Sequence, residues 1–204
     1  MDGRKARSLK TREAIVDATI GLLDAGDLRP RAASIAARAG LSVRSVFQHF
    51  SDLEDLFVAV SDRQANRVAK LYAGTVYEGS LDDRVDTFVT QRTALYEVIA
   101  PVRRAAMLQE PFSRIVASRL ELTRVLHRLD LERAFGAELD AARAAGDSVL
   151  LEALVSVSTF MAWDEMRSRA GLDVDAARAA MRRSVFSLLS TPVVPSDRAT
   201  ARAR

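Results

Sequence analysis

A chain of 204 residues, 49% hydrophobic and 28% charged, is long enough and apolar enough to bury a sizeable core. It has no cysteine and only two histidines, His49 and His127, which excludes a disulfide framework, thiolate zinc sites and thiol catalysis and leaves little for a metal site. The net charge of +3 is modest but uneven: residues 1–50 carry nine Lys/Arg against five Asp/Glu, whereas the rest of the chain holds 21 against 22, the electrostatic footprint expected of a head that meets nucleic acid.

Five prolines and nine glycines punctuate the chain, and the intervals between them show helical rather than alternating periodicity, which predicts an all-α protein. After a basic arm over 1–10, Thr11 is the expected N-cap of a first helix reaching residue 25, with Ile15, Thr19, Leu22 and Leu23 on one face and Gly26 as its stop. Pro30 precedes a short second helix over 31–39 whose inner face is Ile35, Ala36 and Ala39. Gly40 ends it. Ser42 caps a third short helix to His49 or Phe50, and Ser51 with Glu54 reads as a capping box opening a fourth over 53–73. Ser80 with Asp83 caps a helix over 81–99, Pro101 opens another over 101–109, and a long helical stretch covers 112–145 with a break expected near Asp130. Gly146 and Asp147 start a helix reaching residue 169, and Asp173 caps the last one, 174–190. The tail 191–204, with Pro192 and Pro195, is expected to be disordered.

The most informative segment runs from Arg31 to Phe50. Two short helices joined by a tight turn pack closely only through small residues, which Ala36 and Ala39 supply, and Gly40 supplies the left-handed turn conformation. At about 100° per residue, Val46 and Phe50 of the third helix point inward while Arg44 and Gln48 project together on the outer face. Arg can pair bidentately with guanine and Gln with adenine, so this face has the side chains for direct readout in a major groove.

From about residue 11 to 60 the chain resembles the tetracycline-repressor (TetR/AcrR) family of transcription regulators. The resemblance is carried by Thr11-Arg-Glu-Ala-Ile, by Ile35-Ala-Ala-Arg-Ala-Gly-Leu-Ser and by Val46-Phe-Gln-His-Phe50 followed by Leu56 and Phe57. It implies a homodimer in which paired third helices enter successive major grooves of a palindromic double-stranded DNA operator. It further implies a C-terminal region whose small-molecule ligand alters their spacing, most simply a repressor released from its operator; the fourth helix, which joins the head to the core, is the expected carrier of that shift. Carried over by position, Ser42, Arg44, Ser45, Phe47, Gln48 and His49 fall in the recognition segment, with Arg31 at the second helix's start and Lys10 and Thr11 at the first's. Phe47 stands where the family usually has Tyr, and Leu53 where it often has Lys. Both departures remove a phosphate contact that Arg29, Arg31 and the arm Arg4, Lys5 and Arg7 can replace, since phosphate contacts are interchangeable in position.

The expected organisation is therefore a DNA-binding domain over 1–52 and a ligand-sensing and dimerisation domain over 53–190. The segment 147–169 is apolar nearly all round and must be covered on both sides. Together with the last helix it predicts a dimer interface containing Leu154, Val157, Met161, Met181, Val185 and Leu188. In the helix over 81–99, Arg92 lies on the inward stripe with Val85, Phe88, Val89, Tyr96 and Ile99, so it either meets an internal acid or faces a cavity. A cavity there would be lined by Phe88, Arg92, Tyr96, Met107, Phe112 and Phe160.

No catalytic residue, metal site or cofactor is expected. The rival reading as a helical-bundle enzyme lacks Glu-x-x-His pairs, since Val46 and Arg124 stand three residues before the two histidines, and lacks a Gly-rich phosphate loop. A second rival is a protein-interaction adaptor that keeps the helix-turn-helix as a scaffold. No run approaches the ~20 apolar residues of a membrane-spanning helix and none follows the basic N-terminus as a secretory signal requires, so a cytoplasmic protein without membrane contact is expected.

Overall fold

The computed structural model of the chain describes residues 3–191; the tail expected over 191–204 lies outside them, apart from Thr191. All regular structure among the described residues is helical, as the periodicity predicts. The elements are α1 (Gly3–Asp24), α2 (Ala32–Ala39), α3 (Val43–His49), α4 (Leu53–Tyr72), α5 (Leu81–Gln109), α6 (Arg114–Ala144), α7 (Leu150–Val157), α8 (Phe160–Asp164) and α9 (Val174–Ser190). A 3-10 turn covers Glu110–Phe112 and a π-helical turn Glu165–Arg169. No helix among them is long and apolar enough to cross a membrane.

The described residues form two compact units, one of residues 3–73 with 97–122 and the other of 74–96 with 123–191. The expected division at residue 52 is therefore not where the units part. The reason is packing: Leu56 and Val60 of α4, and Val102 and Ala105 of α5, share one buried core with Ile15, Ile20 and Leu23 of α1, Ile35 and Ala36 of α2, and Val46 and Phe50. In the other unit Phe88, Phe135, Leu131 and Leu139 are buried, and α7 packs on α9. Its polar margin is an ion pair at 2.5 Å between Arg84 and Glu138, in which the hydrogen bonds from Arg84 hold the Glu138 carboxyl below its ordinary value.

Several helix ends lie where local chemistry predicts. Ser80 and Asp83 cap α5 reciprocally, with Asp83 N–H donating to Ser80 Oγ at 3.2 Å and Ser80 N–H to Asp83 Oδ2 at 2.9 Å. Asp173 Oδ1 accepts from Ala176 N–H at 2.7 Å and opens α9.

Five expectations are corrected. Thr11 does not cap the first helix, because α1 already begins at Gly3 and residues 3–10 of the supposed arm are helical; their Arg, Lys, Ala and Leu residues are good helix formers, and Thr11 Oγ1 donates back to Arg7 O at 3.0 Å. The N-cap of α4 is Asp52 rather than Ser51, with Asp55 rather than Glu54 as its counterpart: Asp52 Oδ1 accepts from Asp55 N–H at 2.8 Å and Asp55 Oδ2 from Ser51 N–H at 3.2 Å. Pro101 does not open a helix but lies inside α5, where the carbonyl of Val98 takes a hydrogen bond from Gln64 Nε2 at 2.8 Å. The bend in α6 falls at Phe135 (φ −131°, ψ 26°), next to Gly136, and not near Asp130. The helix expected over 147–169 is broken at Ser158, and Thr159 Oγ1 caps the new start by accepting from Ala162 N–H at 3.1 Å.

Candidate nucleic-acid interface

The geometry of the α2–α3 pair follows from three consecutive residues. Gly40 adopts φ 68° and ψ 32°, and this left-handed turn lets Leu41 N–H reach Ala36 O at 2.9 Å and Gly40 N–H reach Ala37 O at 3.2 Å, closing the α2 C-terminus. Ser42 is already the next N-cap, its Oγ accepting from Ser45 N–H at 3.1 Å. With so short a link, α3 is anchored by Val46 and by Phe50, both buried against α1.

What α3 leaves outside is two adjacent rows of side chains. Arg44 and Gln48, four residues apart, are both exposed, and beside them Val43 and Phe47 are 41% and 46% exposed. Among the described residues neither Arg44 nor Gln48 makes a side-chain hydrogen bond or ion pair, so their donors face solvent. His49 is half-buried at the helix end, and Ser45 is half-buried behind the exposed row.

The C-terminus of α3 is fastened by a residue that sequence reasoning missed as a site residue. Arg12 donates from Nη1 to the His49 carbonyl at 2.5 Å, lies 4.0 Å over the Phe50 ring and comes within 3.8 Å of the Asp55 carboxylate. A cation at the carbonyl end of a helix also opposes its dipole. Its partner is 37 residues away, and no local pattern announces such a contact.

Cationic side chains flank this face. Arg7, Lys10 and Thr11 of α1 line a groove with Ala14 and Leu41, which brings the basic row of α1 to the α2–α3 turn. Lys10 is exposed, whereas the Thr11 hydroxyl is spent inside its own helix. Arg31 occupies the N-cap position of α2 without capping it, and its side chain is exposed. Arg7, Lys10, Arg31 and Arg44 thus belong to one unit.

The residues expected around a ligand cavity are not all brought together. Phe88, Arg92, Tyr96 and Phe160 are buried in the unit that contains α7–α9, while Met107 is half-buried and Phe112 is 81% exposed in the other unit. Phe112 sits in the 3-10 turn between α5 and α6, which turns its ring outward. Arg92 meets an internal acid, with Nη2 at 2.5 Å from Asp130 Oδ2 and the guanidinium 5.1 Å from the Phe88 ring centre. Tyr77 donates to the other Asp130 oxygen at 3.0 Å.

Beside this pair lies a second buried network. Tyr96 donates to Ser158 O at 2.6 Å, Ser158 Oγ donates to Leu154 O at 2.6 Å, and His127 Nε2 lies 2.9 Å from Ser158 Oγ. A hydroxyl has one proton, so once Ser158 has donated to Leu154 the His127 Nε2 must be the donor. These contacts explain why α7 stops at Ser158 and a new helix begins: the freed backbone and hydroxyl satisfy two buried polar side chains.

Of the six residues expected at a dimer interface, Leu154, Met181 and Val185 are buried within a single chain, where α7 packs on α9. Val157 and Leu188 are half-buried, and Met161 is 66% exposed. Half of the six therefore serve the chain's own core. No family model matches the chain, and no curated protein matches it.

Proposed function

We propose that the protein is a sequence-specific DNA-binding transcription regulator in which α2, the Gly40 turn and α3 form a helix-turn-helix and α3 enters the major groove. The observation that carries this reading is the outward face of α3: Arg44 and Gln48 have unengaged donors on a helix fixed to a rigid core, next to exposed Val43 and Phe47. Arg44 is suited to guanine O6 and N7, Gln48 to adenine N6 and N7, and the apolar pair to thymine methyl groups. Arg7, Lys10 and Arg31 supply phosphate contacts, which fix position without reading sequence. In this reading the protein acts as a homodimer on a palindromic operator, its remaining helices carry dimer contacts and a small-molecule effector site, and effector binding releases it.

A different reading is favoured by one observation, the exposure of Val43 and Phe47, which would equally suit a protein partner of an adaptor. DNA retardation with the chain's own promoter region, across salt concentrations, separates the two. Arg44→Ala should cost on the order of 1–3 kcal/mol for the operator and relax preference at one base pair per half-site, with non-specific binding almost unchanged. Arg31→Ala should weaken all DNA about equally and lower the salt slope by roughly one contact. Equal losses on operator and random DNA for Arg44→Ala would make it a phosphate contact, and no retardation at low salt would leave the adaptor reading.

A further inference from the structure

We infer that the unit containing α1–α4 carries a site for a small amphipathic monocarboxylate, in the groove where the start of α2 meets the turn between α5 and α6. Every residue that lines this groove belongs to that one unit. It measures about 340 Å³, near the lower end of the roughly 300–1,000 Å³ of small-molecule sites. The floor is apolar and fixed: Leu53 and Phe57 of α4 pack on the buried core, and Val116 of α6 is itself buried. At the rim stands Phe112, whose ring is left in water although it lines the same groove. A hydrocarbon body laid on this floor would remove that ring from solvent together with its own surface.

The charges on the walls select the head group. Arg29 and Arg31 line the groove on either side of the buried Pro30, both are exposed, and among the described residues neither guanidinium makes a hydrogen bond or ion pair. Glu54 is the one acid of the lining, and it is already engaged: it accepts from the Ser113 hydroxyl, whose oxygen accepts in turn from Val116 N–H at 3.1 Å. Two arginines against one glutamate leave the lining one positive charge in excess, which suits a monoanion. The planar guanidinium fork matches a carboxylate, so the acid group belongs at the arginines and the hydrocarbon on Leu53, Phe57 and Phe112. A neutral alcohol leaves the arginines unanswered, and acetate leaves the apolar floor wet. Arg31 is also a phosphate contact in the DNA-binding reading. The regulatory consequence, which rests on that reading, is that a carboxylate in the groove competes with the operator for Arg31, and each weakens the other by the same factor.

Equilibrium dialysis of the full chain with labelled octanoate decides the site. Octanoate should bind, octanol and acetate should each compete at least about tenfold less well, and Arg29→Ala should weaken octanoate about tenfold, the scale of one charge-assisted hydrogen bond. Phe112→Ser should weaken it several-fold. Both side chains are exposed, and unchanged circular dichroism checks that each variant is folded. No retention of octanoate, or the same affinity in the wild type, Arg29→Ala and Phe112→Ser, would overturn the site. DNA retardation with and without octanoate decides the consequence. Saturating octanoate should weaken operator binding by the factor that Arg31→Ala does, and should have no further effect on the Arg31→Ala variant. Operator affinity unaltered by saturating octanoate would overturn the competition. A chain that retards no DNA even without octanoate would instead strike the DNA-binding reading, and the dialysis would still decide the site.

Discussion

Arg12 shows how much of the proposed reading head depends on a residue that need not touch DNA. Its guanidinium holds the last carbonyl of α3 and covers Phe50, so removing it frees the helix end that carries Gln48 and His49. Arg12→Ala should lower stability by about 1–2 kcal/mol, the scale of one charge-assisted hydrogen bond to a half-exposed group. Urea denaturation would show it, and an unchanged midpoint would mean that the contact contributes nothing. Arg92 is the complementary case, a buried charge whose partner is now identified. Asp130→Ala leaves that guanidinium without its carboxylate and deprives Tyr77 of an acceptor, and should cost roughly 3–5 kcal/mol. Replacing both Arg92 and Asp130 by Leu should be milder than Asp130→Ala in the same melting experiment, because the buried guanidinium is removed together with its carboxylate. A double variant less stable than the single one would show that the pair contributes more than its own neutralisation.

At the scale of elements, the features legible in the sequence are those whose cause lies within four residues. Gly40, Ser42, Asp173 and the Ser80–Asp83 pair all act on backbone groups next to them, and each does what its residue type implies. Two of the features that were not legible have distant causes. Pro101 would end an isolated helix, yet α5 continues through it, with Gln64 of α4 bonded to the neighbouring Val98 carbonyl. Ser158 sits in a helical pattern, yet Tyr96 and His127 claim its carbonyl and hydroxyl. The Gly40 turn offers a quantitative test of the local kind. A Cβ built there meets nothing within 4 Å, so Gly40→Ala should show backbone strain alone, about 1–2 kcal/mol. A loss well above that range in chemical denaturation would mean that the turn must move to accept a side chain.

At the scale of the whole molecule, the charge asymmetry and the all-α class follow from composition and periodicity alone, but periodicity does not say what covers a stripe. Leu154 and Met161 stood together as candidate interface residues because both belong to the same apolar segment. The break at Ser158 separates them, and one is core while the other is surface. This difference makes the proposed dimer testable with one chemical change at two places. Met161→Glu puts a charge on an exposed position, so the fold should be disturbed by no more than about 0.5 kcal/mol. If α8 forms the dimer contact, that charge must be desolvated on association, and the variant should sediment as a monomer at low micromolar concentration where the wild type is a dimer. Leu154→Glu instead buries an unpaired carboxylate inside one chain and should cost several kcal/mol of stability, yielding little soluble protein whatever the oligomeric state. A wild type that is monomeric at that concentration would remove the dimer itself. A Met161→Glu variant that remains dimeric would remove α8 as its interface, and the two results are told apart by the same sedimentation run.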